Sequence, residues 1–82
     1  MKSVIFSSAI INRNRVKFLY NFEAVTLEPY YIGRNKTGKK VLYGKLGSTN
    51  EIKMFEYDKM FNIKVITFEK FFPVIPIISC YN

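Results

Sequence analysis

Gly33-Arg34-Asn35-Lys36-Thr37-Gly38-Lys39-Lys40 sets two glycines five residues apart ahead of a lysine. This is close to the G-x-x-x-x-G-K-S/T spacing, in which backbone amides cradle phosphates and a hydroxyl holds magnesium. That chemistry needs a serine or threonine after the lysine and a helix N-terminus behind it. Here Lys40 occupies the hydroxyl position and the strand formers Val41, Leu42 and Tyr43 follow. The segment therefore reads as a basic hairpin loop with glycines at its turn positions, not as a triphosphatase loop. Glu56 and Asp58, two apart, are a carboxylate pair that general acid–base catalysis could use, but no cleft, metal or nucleophile is implied around them. The chain has no histidine and one cysteine, so Cys80 lacks a partner for a zinc site, a Cys-His nucleophile or an internal disulfide. These residues predict a protein that is not an enzyme and carries no cofactor.

What remains is cation beside aromatic. Arg15, Lys17, Arg34, Lys36, Lys39 and Lys40 could neutralise phosphates, while Tyr30, Tyr31 and Tyr43 could stack against bases. Residues 1–45 hold nine Lys or Arg against Glu23 and Glu28, whereas residues 46–82 hold four of each sign, so the net +7 comes from the first half. Such a field attracts nucleic acid or another polyanion; the plainer reading is a positive surface that keeps a small protein in solution, with half-buried tyrosines and solvated lysines.

The elements that must position these groups are short. From Ser3 to Arg13, Ile5, Phe6, Ala9 and Ile10 mark one face of a helix, with Ser3 as N-cap and Asn14 as the left-handed residue at its end. Arg15 to Tyr20 alternates, with Val16, Phe18 and Tyr20 inward and Arg15 and Lys17 outward. Residues 21–23 turn, and Ala24 to Glu28 form a second strand; Pro29, with no amide hydrogen to donate, ends regular pairing or lies at an edge, and Tyr30, Tyr31 and Ile32 continue as extended chain. Lys39 to Leu46, Glu51 to Tyr57 and Ile63 to Phe68 are three further strands, Asp58 to Phe61 being a tight or one-turn helical link. Gly44 inside the third strand marks a bulge or bend. The expected fold is one mainly β domain over residues 1–82: helix 3–13, a small, strongly bent five-stranded barrel over 15–68 of the Sm or SH3 kind, and an apolar tail over 69–82.

Eighty-two residues allow one core, and 49% hydrophobic with 17% aromatic residues is ample to order it. The run from Phe71 to Ile78 is too short to span a bilayer and contains Pro73 and Pro76, so no membrane segment is expected and the cytoplasm is the expected setting. Phe71, Phe72, Ile75, Ile77 and Ile78 either complete the core or, left exposed, dock a protein partner or a second copy of the chain.

Ala9-Ile10, Val16-x-Phe18-x-Tyr20, Leu27-Glu28-Pro29-Tyr30, Val41-Leu42-x-Gly44, Phe55-x-x-Asp58-Lys59-Met60 and a closing Phe68-x-x-Phe71 with Tyr81-Asn82 together resemble the WYL domain of bacterial regulators. The resemblance runs over roughly residues 5–82 and is nearest to short, free-standing WYL-like proteins. It implies an Sm- or SH3-like barrel that binds a ligand, often a nucleic acid or nucleotide, and usually regulates an attached DNA-binding domain; with no helix-turn-helix ahead of the barrel in this sequence, a sensor of this kind is expected to act through another chain. The namesake Trp-Tyr-Leu falls on Lys40-Val41-Leu42, keeping only the leucine. Family arginines fall on Lys53, Glu56 and Lys59, so the resemblance places ligand contacts on Lys53 and Lys59.

Overall fold

Phe6, Ala9 and Ile10 lie three and four residues apart and share one side of a helical turn. In the computed structural model, which describes residues 1–47 and 49–72, they are the buried face of helix α1, Lys2–Asn12. Ile5, expected beside them, is partly exposed. Ser3 does not cap the helix: it lies inside the first turn, its Oγ 3.1 Å from the hydroxyl of Tyr57. At the other end Arg13, not Asn14, takes the left-handed conformation (φ 56°). Its N–H reaches the Ile10 carbonyl at 3.1 Å and that of Asn14 reaches the Ala9 carbonyl at 2.9 Å, the two-bond Schellman closure.

Five strands follow: β1 Arg15–Tyr20, β2 Glu23–Arg34, β3 Lys40–Leu46, β4 Ile52–Glu56 and β5 Met60–Ile66. All pair antiparallel in the order β4-β3-β2-β1-β5, and a short 3-10 turn, Tyr57–Lys59, joins the two outermost strands. The alternation read along β1 is kept, with Val16 and Phe18 fully buried and Tyr20 packed at the core margin. Leu27, Leu42, Phe55, Tyr57 and Met60 close over them from the other strands and the 3-10 turn. Phe55 meets Phe18 edge-on at 5.2 Å and Tyr20 at 4.9 Å, the geometry aromatic rings favour over face-to-face contact.

The expected closed barrel does not form. β4 and β5 are the two edges of an open sheet, and among the described residues no ladder joins them. Closure would bury the inner face by strand pairing; here α1 lays Phe6, Ala9 and Ile10 on that face, while the turn between the edges contributes the buried Tyr57 and is followed by buried Met60.

β2 runs twelve residues, past Glu28 and through Pro29, so of the two outcomes expected at that proline the edge position is the one taken. The ladder with β1 stops at Leu27, opposite Val16, so beyond this point β2 has a neighbour only in β3 and tolerates a residue without an amide hydrogen. Pro29 faces Gly44 and Tyr31 faces Tyr43, leaving Tyr30 as the extra residue of a bulge. Gly44 is what permits this: a Cβ there would stand 2.4 Å from the Glu28 carbonyl oxygen. The bulge turns Tyr30 inward, where its ring stacks on Phe71 at 5.6 Å and 7°. Phe71 is further held by its N–H to the Arg13 carbonyl at 3.0 Å, and Lys70 donates to the Asn12 carbonyl at 2.6 Å, so residues 69–71 strap the end of α1 to the sheet. Phe71 is thus core, whereas Phe72 is exposed. Ile75, Ile77, Ile78 and Cys80, with the rest of the expected apolar tail, lie outside the described residues.

Candidate functional site

The basic segment is the tip of the β2–β3 hairpin, with Arg34 ending one strand and Lys40 opening the other. Asn35 organises it. Its side-chain oxygen accepts from the N–H of Thr37 (3.0 Å), the hydroxyl of Thr37 (2.8 Å) and the N–H of Lys39 (3.0 Å). Its own N–H donates to the Lys39 carbonyl and its carbonyl accepts from Gly38, both at 3.0 Å. Gly38 is left-handed (φ 83°), a conformation open to glycine at no steric cost. Four loop amides are therefore consumed inside the loop, and β3 rather than a helix follows it. Backbone cradling of phosphate is not what this loop does; any recognition of an anion must come from its side chains.

Those side chains frame a cleft on each side of the hairpin. On one side Arg34, Lys39 and Lys40 join Lys2 of α1, Tyr57 and Asp58 around an open cleft of about 440 Å³. Lys2 Nζ is anchored to the Tyr57 carbonyl at 2.7 Å, and Arg34 Nη1 to the Gly38 carbonyl at 2.7 Å. Lys39 lies 3.5 Å from Asp58 with both side chains more than half exposed, an ion pair that water screens. On the other side Arg34 again, with Asn35, Lys36, Thr37, Tyr43 and Met54, lines a cleft of about 420 Å³. Tyr43 sits beside Tyr31 with ring centroids 5.4 Å apart, and the two rings lie over Gly33, where a Cβ would stand 3.0 Å from one and 3.4 Å from the other. The first cleft concentrates positive charge, and the second offers a ring, a thioether and amide and hydroxyl groups. Arg34 is common to both.

Of the eleven residues singled out in the sequence, Arg34, Lys36, Lys39, Lys40 and Tyr43 line these two clefts, and Tyr31 sits beside Tyr43. The others lie elsewhere. Arg15 is held in an ion-pair network, its Nε and Nη2 on Glu28 Oε2 at 3.4 and 3.3 Å and its Nη1 on Glu69 at 2.8 Å. Glu28 in turn faces Lys45 at 3.6 Å, and both of these side chains are largely buried. Lys17 is opposite Thr26 on β2; at about 3.3 Å per residue that is roughly 26 Å along the strand from Arg34. Lys53 is opposite Gly44 in the edge strand β4, and strand alternation sends its side chain to the other face from Met54. Lys59 rims a separate apolar groove with Leu19, Phe22 and Phe61, and it adjoins the basic cleft only through its neighbour Asp58, which lines both. Tyr30, a candidate for stacking, is taken by Phe71.

The sequence reading missed Lys2, because α1 was read only for its apolar face, and Met54, whose place beside Tyr43 depends on register. Asp58, around which no cleft was expected, is the one carboxylate of the basic cleft among the described residues. Asn35 was legible in principle, since Asn-x-Thr-Gly is the pattern of a side chain that bonds its own backbone two residues on. No helix among the described residues is long and apolar enough to cross a membrane.

No family model matches this chain, and no curated protein matches its sequence. Among solved structures its fold is similar to part of proteasome accessory factor B/C (PafBC) of Arthrobacter aurescens, with a TM-score of 0.72 and 23% identity over 83% of this chain. The match spans 12% of that protein, so there the fold is a small part of a much longer chain.

Proposed function

We propose that this chain is a non-enzymatic, WYL-like regulatory module that binds an anionic ligand, single-stranded nucleic acid or a nucleotide, on the tip of its β2–β3 hairpin. The observation that carries the reading is Arg34, shared by a cleft of cations on one side and a cleft containing Tyr43 and Met54 on the other. Phosphate and base need these two surfaces together. The residue series resembling WYL domains supports the family assignment. The occurrence of the same fold as a small part of a longer protein supports a module that acts through another chain, for which a DNA-binding protein is the proposed partner.

The test is a salt-titrated binding screen of single-stranded DNA, RNA and nucleotides. Affinity is expected to fall linearly on logarithmic axes as salt rises, with a slope of about −0.7 per phosphate neutralised on a single strand. Lys39→Glu with Lys40→Glu should then lower affinity by about 100-fold. The pair that the family resemblance singles out, Lys53→Glu with Lys59→Glu, should change it much less. Loss of binding in the second pair only would move the site to β4 and the 3-10 turn.

A second reading has its own observation. Phe68 and Phe72, on either side of the strap, are both exposed, which suits a subunit that associates with itself or another protein through this end of the chain.

A further inference from the structure

Arg34 and Lys40 are direct cross-strand partners in the register of β2 and β3. Like charges placed opposite one another weaken a hairpin, and here Lys39 and Lys2 bring two more cations into the same cleft, with Asp58 as the only carboxylate lining it among the described residues. The side chains of the lining thus carry four positive charges and one negative, a balance of +3. Two of the cations are pinned in place through a single donor each, Arg34 on the Gly38 carbonyl and Lys2 on the Tyr57 carbonyl. The guanidinium fork and the ammonium group keep further donors for an anion.

A volume of about 440 Å³ is that of a small-molecule site. One unit of a single strand threaded through it brings one phosphodiester charge together with a sugar and a base, leaving most of the +3 unmatched. A chain of two or three linked phosphoryl groups brings several negative charges in a small volume. We infer that the basic cleft takes a compact polyphosphate, the di- or triphosphate end of a nucleotide or the free inorganic chain. This rests on the reading of the hairpin as the anion site and names the class of anion it selects. Lys39 exchanges its exposed contact with Asp58 for the ligand, and Arg34 spans the terminal groups with its planar fork. If the phosphate chain carries a nucleoside, the base reaches the Tyr43 side of the hairpin past Arg34.

The experiment is calorimetric titration of the full chain with inorganic tripolyphosphate, pyrophosphate and orthophosphate, and with an oligothymidylate bearing no terminal phosphate. The expected order is tripolyphosphate, pyrophosphate, orthophosphate, each step weakening binding by about tenfold as a charge-assisted contact is lost. One tripolyphosphate should bind per chain. Arg34→Gln and Lys40→Gln should each weaken it, and Lys53→Gln should leave it unchanged; circular dichroism checks that the variants are folded. Inorganic tripolyphosphate binding no more tightly than orthophosphate, or insensitive to both hairpin variants, overturns the inference. If the oligothymidylate binds at the hairpin, is lost in Lys40→Gln and is not displaced by tripolyphosphate, the polyphosphate assignment falls while the anion-binding reading stands. If none of the four anions binds, both fall.

Discussion

Phe22 occupies a position chosen against its own preferences. It is the second of two residues, Asn21 (φ 52°) and Phe22 (φ 66°), that join β1 to β2, and positive φ at both is the conformation of a type I′ turn. That turn favours Asn-Gly, because a side chain in the left-handed region crowds its own backbone at a cost of roughly 1–2 kcal/mol. The Phe22 ring recovers nothing for it by burial, being fully exposed. Phe22→Gly is therefore expected to stabilise the chain by about 1 kcal/mol, read as a raised midpoint in urea with an unchanged slope. A lowered midpoint would show that the ring makes contacts worth more than the strain. The turn itself was expected at residues 21–23, but nothing in the letters Asn-Phe signalled its type, since that type is recognised in sequence by glycine and here the glycine is missing. Arg13, left-handed at the end of α1, escaped notice for the same reason, and Asn14 was preferred on propensity alone.

At the scale of elements, the β2–β3 hairpin combines a stiff tip with repelling flanks. Three hydrogen bonds converge on Asn35 Oδ1, and they fix the loop backbone at Thr37 and Lys39 before any ligand arrives. Asn35→Ala removes all three while leaving every charge in place. Its expected effect is a loss of about 1–2 kcal/mol of stability, since these bonds are exposed and water replaces them in part. Anion affinity should fall as well, because an unfixed loop must be ordered on binding. Unchanged affinity, measured in the same salt titration, would show that the cations act as a diffuse field and not as a built site. The hairpin itself was legible: two glycines, alternating flanks and strand formers on either side located it within a residue or two. The length of β2 was not. Pro29 left a stop and an edge position both open, and only the early end of the β1 ladder, together with the room above Gly44, lets the strand continue past it.

For the molecule as a whole, the two readings part at the end of the chain. Truncation after Phe71 keeps the ring that stacks on Tyr30 and removes Phe72 and everything beyond it. Under the anion-binding reading the shortened chain should hold oligonucleotide or polyphosphate within about threefold of the intact chain, a change of under 1 kcal/mol. Sedimentation of the two forms should give the same oligomeric state. A switch from an associated to a monomeric state, with no anion binding in either, favours the interaction reading instead. The open sheet bears on both outcomes, because among the described residues β4 and β5 present unpaired edges, and such edges invite another strand unless charges or irregularities discourage it. The left-handed Asn62 within β5 and the register shift opposite Lys17 to Leu19 break one of those edges.

Local pattern was enough for the helix, the five strands, the basic hairpin and the inward residues of β1, because periodicity in apolar side chains reports directly which way a short segment must face to leave water. It was also enough to exclude the phosphate-cradle motif, since one missing hydroxyl and a strand where a helix is needed can be read without coordinates. Packing decided the rest. That α1 covers the inner face, and so leaves the sheet open, depends on contacts between residues far apart in the chain. The same is true of Tyr30, lost to Phe71, of Arg15, spent on Glu28 and Glu69, and of Lys2, brought to the hairpin by α1. A side chain's type states what it is able to bind; its availability is set by which distant partner reaches it first.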